Sequence, residues 1–138
     1  MKVFHPVFLL FSFCLAGLTT SSHAEVLPRL GVGMDTTLGG HGYVGFYSRE
    51  HKQKTGNSGW STRLYFGTNG QKLTVTNTID GYLMYGDWGL AILQDRKGNE
   101  DQRFMGMAVS LQWLVGVNVF TGIGPEGGRV SAGLFLGF

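Results

Sequence analysis

Ser48, Glu50 and His51 sit together in the stretch YSREH, with Ser58 a little further along. A serine nucleophile, a histidine base and an orienting carboxylate make an acyl-transfer site, provided all three come within hydrogen-bond reach. On an extended strand Ser48 and Glu50 share a face while His51 points to the other. The stretch therefore reads as a polar loop, SREHKQKTGNSG. His41 is the only other histidine after residue 24. Two glycine patterns, GHGYVG at 40–45 and GIGPEG at 122–127, have a dinucleotide-binding spacing. That spacing works where a strand feeds a helix whose amino end faces pyrophosphate, and no helical repeat follows either stretch. With 23 glycines in the chain, such matches arise by chance. No histidine or carboxylate pair has a metal-ligating spacing, so neither metal nor cofactor is expected.

The segment MKVFHPVFLLFSFCLAGLTTSSHAEV carries one basic residue (Lys2), an apolar stretch over 7–18 and small residues at Ser22 and Ala24. This is the pattern of a secretory signal peptide spanning 1–24 and cleaved before Glu25. The apolar run is shorter than the roughly 20 residues of a spanning helix. Cys14 follows Phe13 rather than a small residue, which disfavours lipid attachment. Without the leader the chain has no thiol, and so no disulfide, cysteine nucleophile or thiolate metal site. One domain, 25–138, remains. Its charges nearly cancel once Lys2 is removed from the 11 basic residues that face 9 acidic ones. No basic block marks it for nucleic acid.

The elements that must position any site are strands. Leu30, Val32 and Met34 alternate with Gly31 and Gly33; Val44 and Phe46 with Tyr43, Gly45 and Tyr47; Trp60, Thr62, Leu64 and Phe66 with Ser61, Arg63, Tyr65 and Gly67. Leu73, Val75 and Ile79 oppose Lys72, Thr74, Thr76, Thr78 and Asp80. Met105 to Val119 alternate through the longest run, and Val130 to Phe138 repeat the rule. Asn69-Gly70, Asp80-Gly81 and Gly86-Asp87 suit tight hairpins, while DRKGNED and TGIGPEGG suit longer loops. Short connections imply antiparallel neighbours in an up-and-down order.

The less apolar face is rich in glycine, alanine and serine, with few of the lysines and glutamates that coat a solvated sheet. Small side chains suit the crowded interior of a narrow barrel. Arg63, Lys72, Asp80, Asp87 and Arg129 fall on that face. In a lumen they need partners, and Arg63 or Arg129 is expected to pair with Asp80 or Asp87. Trp60, Phe66, Trp88, Trp113, Phe120 and Phe138 are placed to form interfacial girdles.

The last strand, SAGLFLGF, has Ser131 polar, Gly133 glycine, Leu136 apolar and Phe138 aromatic at the end. It resembles the terminal signal of Gram-negative outer-membrane β-barrel proteins, which the barrel-assembly machinery reads. The resemblance implies an all-β, antiparallel, up-and-down transmembrane β-barrel in the outer membrane. Eight strands of about 9–11 residues fit the length. Seven strands are distinct. An eighth requires a bend near Gln112 or a division of 71–95 at both of its turn signals.

A filled lumen is expected rather than a porin-like diffusion channel. The partners implied are outer-membrane lipid, lipopolysaccharide and the assembly machinery. Arg49, Lys52, Lys54, Arg96 and Lys97, in expected loops, suit lipopolysaccharide phosphates or solvent. The role implied is structural or surface-interacting, with no visible catalytic site. Two alternatives remain open. A lipid A-modifying enzyme would set His41 or His51 beside a serine and a carboxylate at the rim. A soluble periplasmic ligand-binding barrel would turn the apolar face inward.

Overall fold

A computed structural model describes residues 25–50, 57–81, 83–97 and 100–137. Residues 1–24, expected as a leader and including Cys14, and His51, Lys52, Lys54 and Phe138, lie outside the described residues. Eight strands follow one another: β1 (Glu25–Asp35), β2 (Gly39–Glu50), β3 (Asn57–Gly67), β4 (Gly70–Asp80), β5 (Tyr85–Lys97), β6 (Glu100–Gln112), β7 (Gly116–Gly124) and β8 (Gly127–Gly137). Each pairs antiparallel with its neighbours in sequence, and β8 returns to β1, so the sheet is a closed barrel. The start of β1 and the end of β8 share one end, the terminal end. The turns after β1, β3, β5 and β7 make up the other, the turn end.

The register fixes the stagger of the ring. A path through paired residues from Glu25 runs by Arg49, Gly59, Thr78, Asp87, Ser110, Asn118 and Gly133. It returns to β1 at Asp35, ten residues beyond its start. This displacement is what tilts the strands and allows eight of them to close. A strand of 11 residues, rising about 3.3 Å per residue and tilted about 40°, climbs roughly 28 Å along the axis.

Two expected boundaries move. Gly86-Asp87 lies within β5 rather than in a hairpin, and the chain turns instead over Gly81–Met84, where the Gly81 amide donates to the Met84 carbonyl at 2.9 Å. The run through 102–120 breaks at Trp113–Val115, close to the bend foreseen near Gln112. A connection of three residues keeps odd positions outward on both sides. The alternation therefore passes through the turn without a slip, and apolar turn residues conceal it. DRKGNED and TGIGPEGG are mostly strand, the latter turning at Pro125-Glu126 alone.

Inward positions combine small residues with rings that lie over them. Tyr43 occupies the space that side chains at Gly31 and Gly137 would need, and Phe135 does the same at Gly116. Tyr43 packs against Tyr65 and Phe135 with ring centroids 5.2 and 5.8 Å apart. Such rings stiffen glycine-rich strands and fill a narrow lumen. At the turn end Leu38 folds inward and is fully buried. Asp35 Oδ1 accepts from the Thr37 and Leu38 amides at 2.8 and 3.1 Å, and Gly39 takes φ 71°, which tightens the turn over the lumen.

Large apolar side chains point outward, and the lumen combines buried polar groups with a cluster of rings and aliphatic side chains. Trp60, Phe66, Trp88 and Trp113 are exposed, whereas Phe120, expected in a girdle, is fully buried. Its even position in β7 shares the inward parity of Asn118 and Gly122.

Candidate functional site

The lumen is built around paired charges. Arg63 on β3 and Asp87 on β5 form an ion pair across β4, each 2% exposed. Thr78 and Ser110 hydroxyls also donate to the Asp87 carboxylate, Ser110 at 2.7 Å. Arg63 Nη1 reaches the Tyr65 hydroxyl at 3.4 Å, and its guanidinium lies over the Tyr43 ring at 5.7 Å. Nearer the turn end, Lys72 Nζ meets Asp35 Oδ2 and Asn118 Oδ1, both at 3.3 Å, and lies 4.7 Å from the Tyr65 ring. Ser131 donates to the other Asp35 oxygen. Both carboxylates are thus bonded at each oxygen, as buried charge requires, although Arg63 Nε and Asn118 Nδ2 beside them have no hydrogen-bond partner among the described residues.

Arg29 is 5% exposed and has no acidic partner. It lies between the Tyr47 and Tyr85 rings, 5.2 and 4.6 Å from their centroids, which supply the negative faces a desolvated guanidinium needs. Arg129 pairs with Asp95 at the turn end and lies 5.5 Å over Phe104. Asp80 pairs with Arg49 at 3.7 Å near the terminal end. Of the four charges singled out from sequence, the structure therefore joins Arg63 to Asp87. It gives Arg129 and Asp80 partners that were assigned to loops.

Arg29, Asp35 and Asp95 escaped the sequence reading. The first two continue the Gly31–Gly33 parity by one step at either end of β1, so alternation already placed them inward. Asp95 was hidden in a stretch read as a loop. The assembly-signature residues divide by parity: Ser131 and Gly133 face the lumen, Leu136 faces outward, and Phe138 lies outside the described residues.

Of the candidate acyl-transfer residues, Ser48, Glu50, Ser58 and His41 are described, while His51 lies outside the described residues. His41 is inward and 6% exposed, its Nδ1 3.3 Å from the Gly39 carbonyl and its ring edge-on to Tyr65. Among the described residues no serine or carboxylate hydrogen-bonds to it. Ser58 lies opposite Glu50 in the β2–β3 register, and no hydrogen bond joins them. Among the described residues no group of three His, Cys, Asp or Glu side chains could hold a metal ion. The two glycine patterns lie along β2 and across the β7–β8 turn, with no helix beyond either.

A cavity of about 520 Å³ opens at the turn end, lined by Thr36, Thr37, Asn69, Asp95, Arg96 and Arg129. Beneath it, the void beside Arg63, Lys72, Ser110 and Asn118 has a volume of about 10 Å³, room for one water at most. Side chains and ion pairs thus interrupt the lumen. The outer surface is the reverse: among the described residues, 25 large apolar side chains are exposed, including Met34 at 72% and Leu90 at 71%. Compared with family models, curated proteins and solved structures, the chain matches none.

Proposed function

We propose that this chain is an integral outer-membrane β-barrel with a structural or surface-interacting role and a sealed interior. The carrying observation is the inversion of polarity: 25 exposed apolar side chains outside, and buried ion pairs within. A soluble protein seldom shows more than a few hundred Å² of contiguous apolar surface. Lipid is the solvent that suits such a wall, and a closed ring leaves no backbone edge for it to meet. A rise of roughly 28 Å per strand matches the apolar band of about 25 Å in outer-membrane barrels. The leader pattern and the SAGLFLGF signature agree with delivery to that membrane.

The test is fractionation of the native, untagged protein, followed by electrophoresis of cold and boiled samples in detergent. Recovery in the outer membrane with heat-modifiable migration is the expected result. Recovery as a soluble periplasmic species would overturn the proposal.

A further inference from the structure

The outward face of β4, β5 and β6 carries three parallel rows of side chains that cross the strands. Val75, Leu90 and Met107 form one row, and Leu73, Ile92 and Met105 the next toward the turn end. Between them the paired backbones of Ala91 and Gly106 form the floor of an apolar groove of about 490 Å³. The next row, about 7 Å further along each strand, is Gln71, Gln94 and Arg103. Beyond it Arg96 pairs with Asp101 at 3.5 Å, and Gln94 donates to the same carboxylate at 3.0 Å. Arg103 is exposed and makes no ion pair or side-chain hydrogen bond among the described residues. An unpaired guanidinium therefore stands directly above an apolar groove. This is the spacing of an anionic headgroup and the acyl chain below it.

We propose that this groove and Arg103 bind lipid A, the phosphorylated and acylated sugar anchor of lipopolysaccharide, with one acyl chain along the groove and one phosphate at Arg103. The choice of lipid rests on the membrane reading above. The groove floor, Ala91 and Gly106, lies midway along β5 and β6, and Arg103 stands three residues nearer the turn end; with the barrel termini on the side from which a secreted chain inserts, Arg103 lies toward the outer leaflet. There the Gln71 and Gln94 amides sit level with the sugar, beside the phosphate. A phospholipid would offer Arg103 the same phosphate from the other leaflet, so leaflet and sugar separate the two lipids.

The test uses the whole mature barrel in detergent with added lipid, and native mass spectrometry of the lipid it retains. Wild type should retain hexa-acyl lipid A in preference to phosphatidylglycerol. Arg103→Gln should lower retention about tenfold, as expected for loss of one charge-assisted contact. Leu90→Trp, which fills the groove from the outer surface, should do the same, and so should removing the lipid A phosphates. Unchanged heat-modifiable migration verifies that both variants are folded. Equal retention by Arg103→Gln and wild type, or equal retention of phosphatidylglycerol, would overturn the lipid assignment. Absence of heat-modifiable wild type would instead remove the membrane reading on which it rests.

Discussion

Along β6, Phe104, Ala108 and Ser110 turn inward and are buried, while Met105, Met107 and Val109 alternate with them and are more than half exposed. One strand thus presents two surfaces built for different surroundings. Inside, each charge has a designated neighbour, and a ring from one strand fills the space above a glycine of the next. Outside, side chains have apolar character in common and few specific partners. The inner face therefore depends on identity and position, and the outer face on composition. Damage to the two faces should differ in size and in what repairs it.

The largest effect should come from Asp87→Ala, which leaves Arg63 buried without its acid. A loss of about 3–5 kcal/mol is expected for a broken buried pair, read from urea unfolding in lipid vesicles. Replacing Arg63 as well should recover part of that loss, since no unpaired charge then remains. Recovery would assign the cost to the orphaned charge rather than to the missing side-chain volume.

On the outer face, Met107→Arg, next to the middle of β6, should cost about 2–4 kcal/mol in a bilayer, the penalty for a cation near the midplane of a barrel wall. The same variant in a short-chain detergent should lose much less, because the headgroup is then within reach. A cost independent of the apolar phase would weaken the contrast between the faces.

These two sites also show how far the sequence could be read. Alternation identified Arg63 as inward because it lies within a strand of regular parity, whereas Asp87 was assigned to the same face although its Gly86-Asp87 pair had the chemistry of a turn. Alternation also identified Leu30, Val32 and Met34 as a face of their own, but not which side of the sheet met solvent. That followed from the size of the opposing residues. Partner choice was less legible, because it depends on stagger. Asp87 reaches Arg63 across β4 only through the register that shifts β1 by ten residues around the ring. The β6–β7 turn was legible only as one of two possible breaks, for a local reason: Trp113, Leu114 and Val115 lack turn chemistry and preserve parity. Phe120 was misplaced by its residue type, although its parity in β7 pointed inward.

A smaller effect is expected at the seam between β1 and β8, where pairing extends only over Gly31–Asp35. Gly31→Val would place a branched side chain where the Tyr43 ring lies. Overpacking of about 1–3 kcal/mol should result, and Tyr43→Ala in the same chain should relieve only part of it, because the new side chain also meets the Leu136 carbonyl oxygen, 2.5 Å from the Cβ position. Smallest of all should be Arg96→Gln. Arg96 is 65% exposed against Asp101 at 34%, and such pairs contribute about 0–1 kcal/mol. A large effect there would mean that exposed charges at the turn end carry part of the fold.

The most direct test of the two-faced wall is a cysteine scan along β6 in outer membranes, possible because the only cysteine, Cys14, precedes the first barrel strand and can be replaced by serine. Single cysteines at 105, 107 and 109 would be compared with cysteines at 108 and 110 after labelling with an environment-sensitive fluorophore. The account predicts that the odd positions report an apolar environment and are quenched by nitroxide lipids, while the even positions are not quenched. Rapid reaction of the odd positions with a membrane-impermeant maleimide, without lipid quenching, would contradict it.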